Sequence, residues 1–257
     1  LKRLTVALLQ LGLHPGNVAK AVDDADRHIR TAAEKGARLI CLPEHWLLST
    51  VLPLENDILR RFSKLARELD VYLNLGAYYE RRETGVFLTS VMVSPQGDDF
   101  FRQDKVHLYR RENRMALSGS GFSLSSVDGF RVAVLVCHDA VFPEAARTVT
   151  KAGADLIVVP SLIKKAGMEP WLCYIRARSL ENRVPLVSPN VYHPPVFLGG
   201  SRAINLKYDR GEHVMHAVEK TTRRGVTEMV VEMDLASNRA LRDERLKELH
   251  PHAYNVS

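Results

Sequence analysis

A chain of 257 residues that is 46% hydrophobic and 26% charged is long enough for a sizeable core and ordinary for a globular protein in water. No apolar run reaches membrane-spanning length, and residues 1–10 read as a strand instead of a leader peptide, so no membrane association is expected. The formal charge of +6 does not mark a nucleic-acid binder, because the basic residues are interleaved with acids along most helical stretches.

Cys41, Cys137 and Cys173 form an odd set without metal-type spacing. Neither a disulfide framework nor a metal site is indicated, and a reducing, cytoplasmic setting is expected. After the first strand, Asn17 caps an amphipathic helix in which Val18, Ala21, Val22, Ala25, Ile29, Ala32 and Ala33 recur at helical spacing and Lys35-Gly36 closes the pattern. Residues 37–44 follow as a buried strand ending in Glu44. A carboxylate there is either a solvated loop charge or chemistry placed at a strand end, where loops open from a rigid scaffold.

A second amphipathic helix covers 54–70, with Phe62, Leu65 and Leu69 on its apolar face. Three strands, 71–81, 86–94 and 99–108, come next, with Lys105 just before the last pattern breaks into the charged loop at 109–114. A hairpin around Asp128-Gly129 joins 122–127 to 130–137. The apolar run there ends at Cys137, and Pro143-Glu144 suits the first turn of a helix over 143–152. Cys137 is thus expected at a strand-to-helix corner, where backbone N–H groups and the positive helix end favour a thiolate. From this stretch alone, an inert buried cysteine is the equal alternative.

Beyond it, strands are expected over 154–161, 184–192, 202–206, 213–220 and 225–235, with helices over 169–183 and 237–249. Helices grouped in pairs among mixed strands, repeated in two similar halves, predict an α/β protein built as a four-layer α-β-β-α sandwich. No linker or low-complexity tract divides the chain, so 1–257 reads as one domain.

Glu44, Lys105 and Cys137 each stand at a predicted strand end. Brought together, they would supply a base, a cation and a nucleophile for attack on a carbonyl or nitrile carbon, with the backbone N–H of His138 beside Lys105 to meet the developing charge. The motifs Leu42-Pro43-Glu44, Lys105-Val106-His107-Leu108 and Cys137-His138-Asp139 through Phe142-Pro143-Glu144 resemble those of the nitrilase superfamily of carbon-nitrogen hydrolases. So do Trp171 with the segment from Arg176 to Asn182, and Gly199-Gly200-Ser201.

That resemblance implies the four-layer sandwich, a Glu-Lys-Cys triad, no cofactor, and homodimers or larger assemblies paired through the helices after the nucleophile. It also implies a second, substrate-positioning glutamate, here Glu112, which could otherwise be a solvated loop charge. Two departures stand out. His138 occupies a place where the family commonly has Tyr or Trp, and either lines the pocket or engages only through its backbone. Ala140-Val141 replaces a stretch that in several amidase branches contains an arginine, a partner for substrate carboxylates. Cys41 and Cys173 match no motif and are expected to be small buried residues. Trp46, Tyr192 and Phe197 either wall the pocket or belong to the core.

The expected activity is cysteine-dependent hydrolysis of a non-peptide carbon-nitrogen bond in a small amide, releasing ammonia through a thioester. A nitrilase or N-carbamoyl amidohydrolase would use the same triad. An inactive scaffold of the same fold is the alternative from another class. A metal-dependent phosphoesterase, drawing on His107 and Asp139, fits poorly beside a lysine and a cysteine.

Overall fold

The computed structural model describes residues 3–250. The expected start of the first strand at Leu1 and Lys2, and the tail at 251–257, lie outside them.

The first half of the chain opens with β1 (Arg3–Gln10), continuously buried from Val6 onward, as a strand covered on both faces must be. Helix α1 (Val18–Glu34) starts where the Asn17 side chain accepts the Lys20 N–H at 2.9 Å, and leads into β2 (Leu39–Cys41). A short β3 (Val51–Pro53) precedes α2 (Asp57–Leu69), whose cap Asn56 accepts the Leu59 N–H at 2.8 Å. Strands β4 (Tyr72–Asn74), β5 (Tyr78–Arg82), β6 (Gly85–Val93) and β7 (Asp99–Asp104) follow.

The second half repeats the plan. β8 (Leu124–Val127) and β9 (Phe130–Val134) form the expected hairpin, then come α3 (Pro143–Lys151), β10 (Leu156–Val158), α4 (Met168–Asn182) and β11 (Leu186–Ser188). A two-stranded ribbon, β12 (Tyr192–His193) and β13 (Phe197–Leu198), precedes β14 (Arg202–Asp209), β15 (Val214–Thr221), β16 (Thr227–Asp234) and α5 (Leu235–Lys247).

One sheet runs β16-β1-β2-β4-β6-β5-β3 with β7 along the other edge of β6, and the second runs β15-β14-β11-β10-β9-β8. Each has three parallel strands at its centre, β1-β2-β4 and β9-β10-β11. Side-chain alternation then dictates the layers. Val132 and Val134 face Val6, Leu8 and Leu39 of the other sheet, whereas Ala133 and Leu135 face α3 and α4 through Ala146, Val149, Trp171 and Ile175. On the opposite side Leu9, Ile40 and Leu73 pack under Ile29, Phe62 and Leu65 of α1 and α2. The result is the four-layer α-β-β-α sandwich.

Two local departures bear on the site. The stretch 71–81, expected as one strand, is broken at Gly76, which has φ +67° and passes so close to the preceding loop that a Cβ would lie 2.0 Å from the Pro43 carbonyl oxygen. The final strand does not stay in the second half. β16 pairs antiparallel with β1, from Arg3 opposite Asp234 to Gln10 opposite Thr227. The buried Gln10 side chain marks this seam, donating to the carbonyls of Arg223 and Gly225 at 2.9 and 2.8 Å and accepting from Ser201 and Thr222.

Helix α5 is tied down by charge. Asp155, inaccessible to solvent, receives Arg239 at 2.9 and 2.7 Å, Arg242 at 2.9 Å and the Arg131 N–H at 2.9 Å. Replacing Asp155 by Ala leaves the buried Arg242 guanidinium with only the half-exposed Asp243 as a counter-ion. A loss of about 3 kcal/mol in unfolding free energy is expected, read as a lower denaturant midpoint at unchanged slope. Replacing Glu232, whose pair with Arg3 is exposed, should cost under about 1 kcal/mol in the same measurement.

Candidate active site

Glu44 leaves the C-terminal end of β2 and is fixed by its backbone. It bridges Ala77, and the next residue, His45, donates its N–H to the Ala77 carbonyl at 2.8 Å. The close passage at Gly76 brings these two segments together. Lys105 directly follows β7, with its N–H on the Leu88 carbonyl and its own carbonyl receiving the Gly119 N–H, both at 2.8 Å. Cys137 follows β9 and begins a five-residue 3-10 turn, Cys137–Val141, in the left-handed conformation at φ +44°. Its N–H reaches the Pro160 carbonyl at 2.9 Å, across the end of β10.

These strand ends meet around the Lys105 ammonium, which is 1% exposed. Nζ lies 2.8 Å from Glu44 Oε1 and 2.8 Å from Glu112 Oε2. Glu112 also accepts the Tyr109 N–H at 2.7 Å and lies 3.1 Å from His45 Nε2. Burial alone would lower the lysine's affinity for its proton, but the charges of Glu44 and Glu112 reverse that, and the ammonium is held above its ordinary range. Burial likewise opposes ionisation of Glu112. The His45 hydrogen bond and the Lys105 charge outweigh it and bring that carboxyl down to about 2.

The cysteine behaves differently from the sequence expectation. Because a 3-10 turn intervenes before α3, the N-terminus of that helix does not abut Cys137. Burial and then the charge of Glu44 push its thiol well above the ordinary value, against the pull of Lys105 and the Leu162 backbone N–H. The resting group is therefore a thiol beside a carboxylate, and the expectation of a thiolate-favouring corner is corrected. An electrophilic carbon against Sγ would find a carboxylate able to take the thiol proton and an ammonium able to face the charge formed on addition.

His138 projects into an aromatic group, 4.8 Å from the Tyr109 ring and 5.3 Å from Phe142. Burial, followed by the Lys105 charge, lowers its pKa, so the ring is held neutral. Two residues take roles other than those the sequence suggested for them. His45 braces Glu112, and its only signal was adjacency to Glu44. Asp139, fully buried, accepts the His107 N–H at 2.7 Å, His107 Nδ1 at 2.9 Å and the Val136 N–H at 3.1 Å, thereby tying the lysine loop to the cysteine turn.

Glu44, His45 and Glu112 are close enough to share a cation, but Lys105 Nζ already occupies the place where their charges converge. Cys41 is buried, as expected, and burial raises its thiol pKa. Cys173 is exposed on α4, contrary to expectation, because helical spacing turns it opposite to the core residues Trp171 and Ile175. Trp46 belongs to the core, packed edge-on to Phe62 with its indole N–H on the Leu75 carbonyl, whereas Tyr192 and Phe197 are half-buried in the ribbon.

The carbon-nitrogen hydrolase family pattern matches residues 5–220. The omega-amidase NIT2 of Xenopus tropicalis is 26% identical over 200 residues, 71% of this chain and 72% of that protein. Deaminated glutathione amidase of Mus musculus is 27% identical over 187 residues, 62% of this chain and 57% of that protein, somewhat over half its length. The solved structure of a carbon-nitrogen hydrolase from Helicobacter pylori G27 superposes with a TM-score of 0.84 at 20% identity, over 98% of this chain and 97% of that one, a likeness of fold.

The depressed Glu112 carboxyl links the site to acid stability. Its contribution is complete above the ordinary carboxylate value of 4.5 and is lost as pH falls toward about 2. The stability gap between the wild type and Glu112→Gln, measured by urea unfolding, should therefore be largest near neutral pH and shrink between about pH 4.5 and about pH 3. A gap that stays constant across that window would contradict the assignment.

Proposed function

The chain belongs to the carbon-nitrogen hydrolase family, and from that premise we propose that it is an amidase acting on small amides through Glu44, Lys105 and Cys137. The observation that carries this reading is the buried ammonium of Lys105, held at 2.8 Å by both Glu44 and Glu112 next to the Cys137 thiol. The named relatives include an omega-amidase and a deaminated glutathione amidase, which supports an amide over a nitrile.

In this mechanism Sγ adds to the amide carbon as Glu44 takes the thiol proton. The oxygen gains negative charge and is stabilised by Lys105 Nζ and the His138 backbone N–H. Glu44 then delivers its proton to the nitrogen, the C–N bond breaks, and ammonia leaves a thioester on Cys137. Water attacks the thioester carbon with Glu44 as base, the C–S bond breaks, and the acid departs as the thiol is restored. Glu112 keeps Lys105 charged and oriented and positions the substrate. His138, neutral and set among aromatic rings, walls the pocket.

Residues 1–257 act as one catalytic domain in this reading, in the cytoplasm and without a cofactor. Two copies pair through the outward face of α4, where Cys173, Tyr174 and Ala177 leave an apolar strip exposed.

Ammonia release across small amides, ureido acids and nitriles tests the reaction. Cys137→Ala should abolish turnover, and Lys105→Met should lower kcat by about 10²–10³-fold, the usual effect of removing an oxyanion donor. Undiminished ammonia release by Cys137→Ala would sink the mechanism. Sedimentation equilibrium should give the mass of two chains for the wild type and of one for Tyr174→Glu.

A further inference from the structure

The turn that carries Cys137 is not a low-energy local structure. A non-glycine residue at φ +44° costs about 1–3 kcal/mol and persists only where its surroundings over-determine it. On its N-terminal side the turn is held by the Cys137 N–H on Pro160 and by Asp139 capping the Val136 N–H. Its C-terminal carbonyls, those of Ala140 and Val141, have no continuing helix to receive them.

They meet one side chain instead. Arg178, on the inward face of α4, donates Nε to the Ala140 carbonyl at 2.9 Å and Nη2 to the Val141 carbonyl at 2.7 Å, while Nη1 reaches Glu181 at 3.1 Å. Its side chain is 8% exposed. Burying a guanidinium is costly unless its donors are satisfied, and here two of them are spent on successive carbonyls of the nucleophile's own turn. The guanidinium plane fixes the separation and direction of those N–H groups, so it sets the spacing of the two carbonyls in a way a lysine cannot. Helix α4 is itself seated on the second sheet through Trp171 and Ile175.

We propose that Arg178 is a positioning residue for the reaction: it clamps the Cys137–Val141 turn to α4 and so keeps Sγ registered between Glu44 and Lys105. This rests on Cys137 being the nucleophile. It touches neither substrate nor reacting atoms and acts through two backbone carbonyls.

The test compares Arg178→Met and Arg178→Lys with the wild type by steady-state kinetics and by the rate of iodoacetamide labelling of each cysteine, read by mass spectrometry without substrate. For Arg178→Met the expectation is kcat lower by about 10²-fold, as for an ångström-scale misplacement, with KM changed by less than about threefold. Cys137 labelling should slow by at least about tenfold, while Cys41 should stay protected. Arg178→Lys, retaining the charge on a single donor nitrogen, should fall between and serves if the methionine variant does not fold. Wild-type kcat and Cys137 labelling in either folded variant would overturn the proposal. So would a loss of rate that comes with labelling of Cys41, the mark of a merely structural arginine. If wild-type Cys137 labels no faster than buried Cys41, the nucleophile reading itself fails and the clamp falls with it.

Discussion

An ammonium ion almost wholly removed from water survives inside a protein only when its charge is met at close range, and Lys105 has two carboxylates at 2.8 Å to do so. The architecture around it follows from that requirement. β2 must end where Glu44 can turn inward, β7 must end at Lys105, and the loop beyond must fold back so that Glu112 reaches the same nitrogen. His45 and the Tyr109 N–H then satisfy the remaining lone pairs of Glu112. Burial, and after it the charge of Glu44, hold the neighbouring sulfur as a neutral thiol. A thiol in that state becomes nucleophilic as a carboxylate removes its proton.

Asp139 performs a second joining task. It sits between the lysine loop and the cysteine turn and accepts backbone N–H groups from both, so neither can shift without breaking its bonds. Its environment is dry, and burial raises its pKa despite the hydrogen bonds from His107. His107, stacked 3.9 Å from Phe142, closes this link with an aromatic contact. The site is thus organised by a charged cluster on one side of the sulfur and a hydrogen-bonded brace on the other.

Much of this was legible in the sequence. Glu44 and Cys137 each end an apolar run and Lys105 ends a predicted strand, and strand ends can be recognised from a single chain. The paired helices and the Asp128-Gly129 hairpin carried equally local signals. What escaped reading was what depends on distant parts of the chain. Gly76 interrupts a strand because of the Pro43 carbonyl, which lies far from it in sequence. Cys173 and Trp46 were misjudged or left open because exposure is decided by what packs against a face, not by residue type. The corner at Cys137 was placed correctly, but the electrostatic conclusion drawn from it was not, because burial beside Glu44 raises the thiol's pKa and neither can be read from a single stretch of chain.

The return of β16 to the side of β1 has a consequence for the life of the chain before it is folded. The two strands are separated by more than two hundred positions, from Gln10 and Thr227 at one end of the ladder to Arg3 and Asp234 at the other. During synthesis β1 emerges more than two hundred residues before β16 and waits with one hydrogen-bonding edge open until β16 has been made. During that interval an apolar, unpaired strand is exposed to other nascent chains, the circumstance in which edge-to-edge aggregation begins. Closing a ladder of such long range also makes the fold slow to form for its size, since the entropy of so large a loop is lost before its contacts are gained. The strand ends that carry Lys105 and Cys137 thus rest on a scaffold that is completed by a strand made well after them.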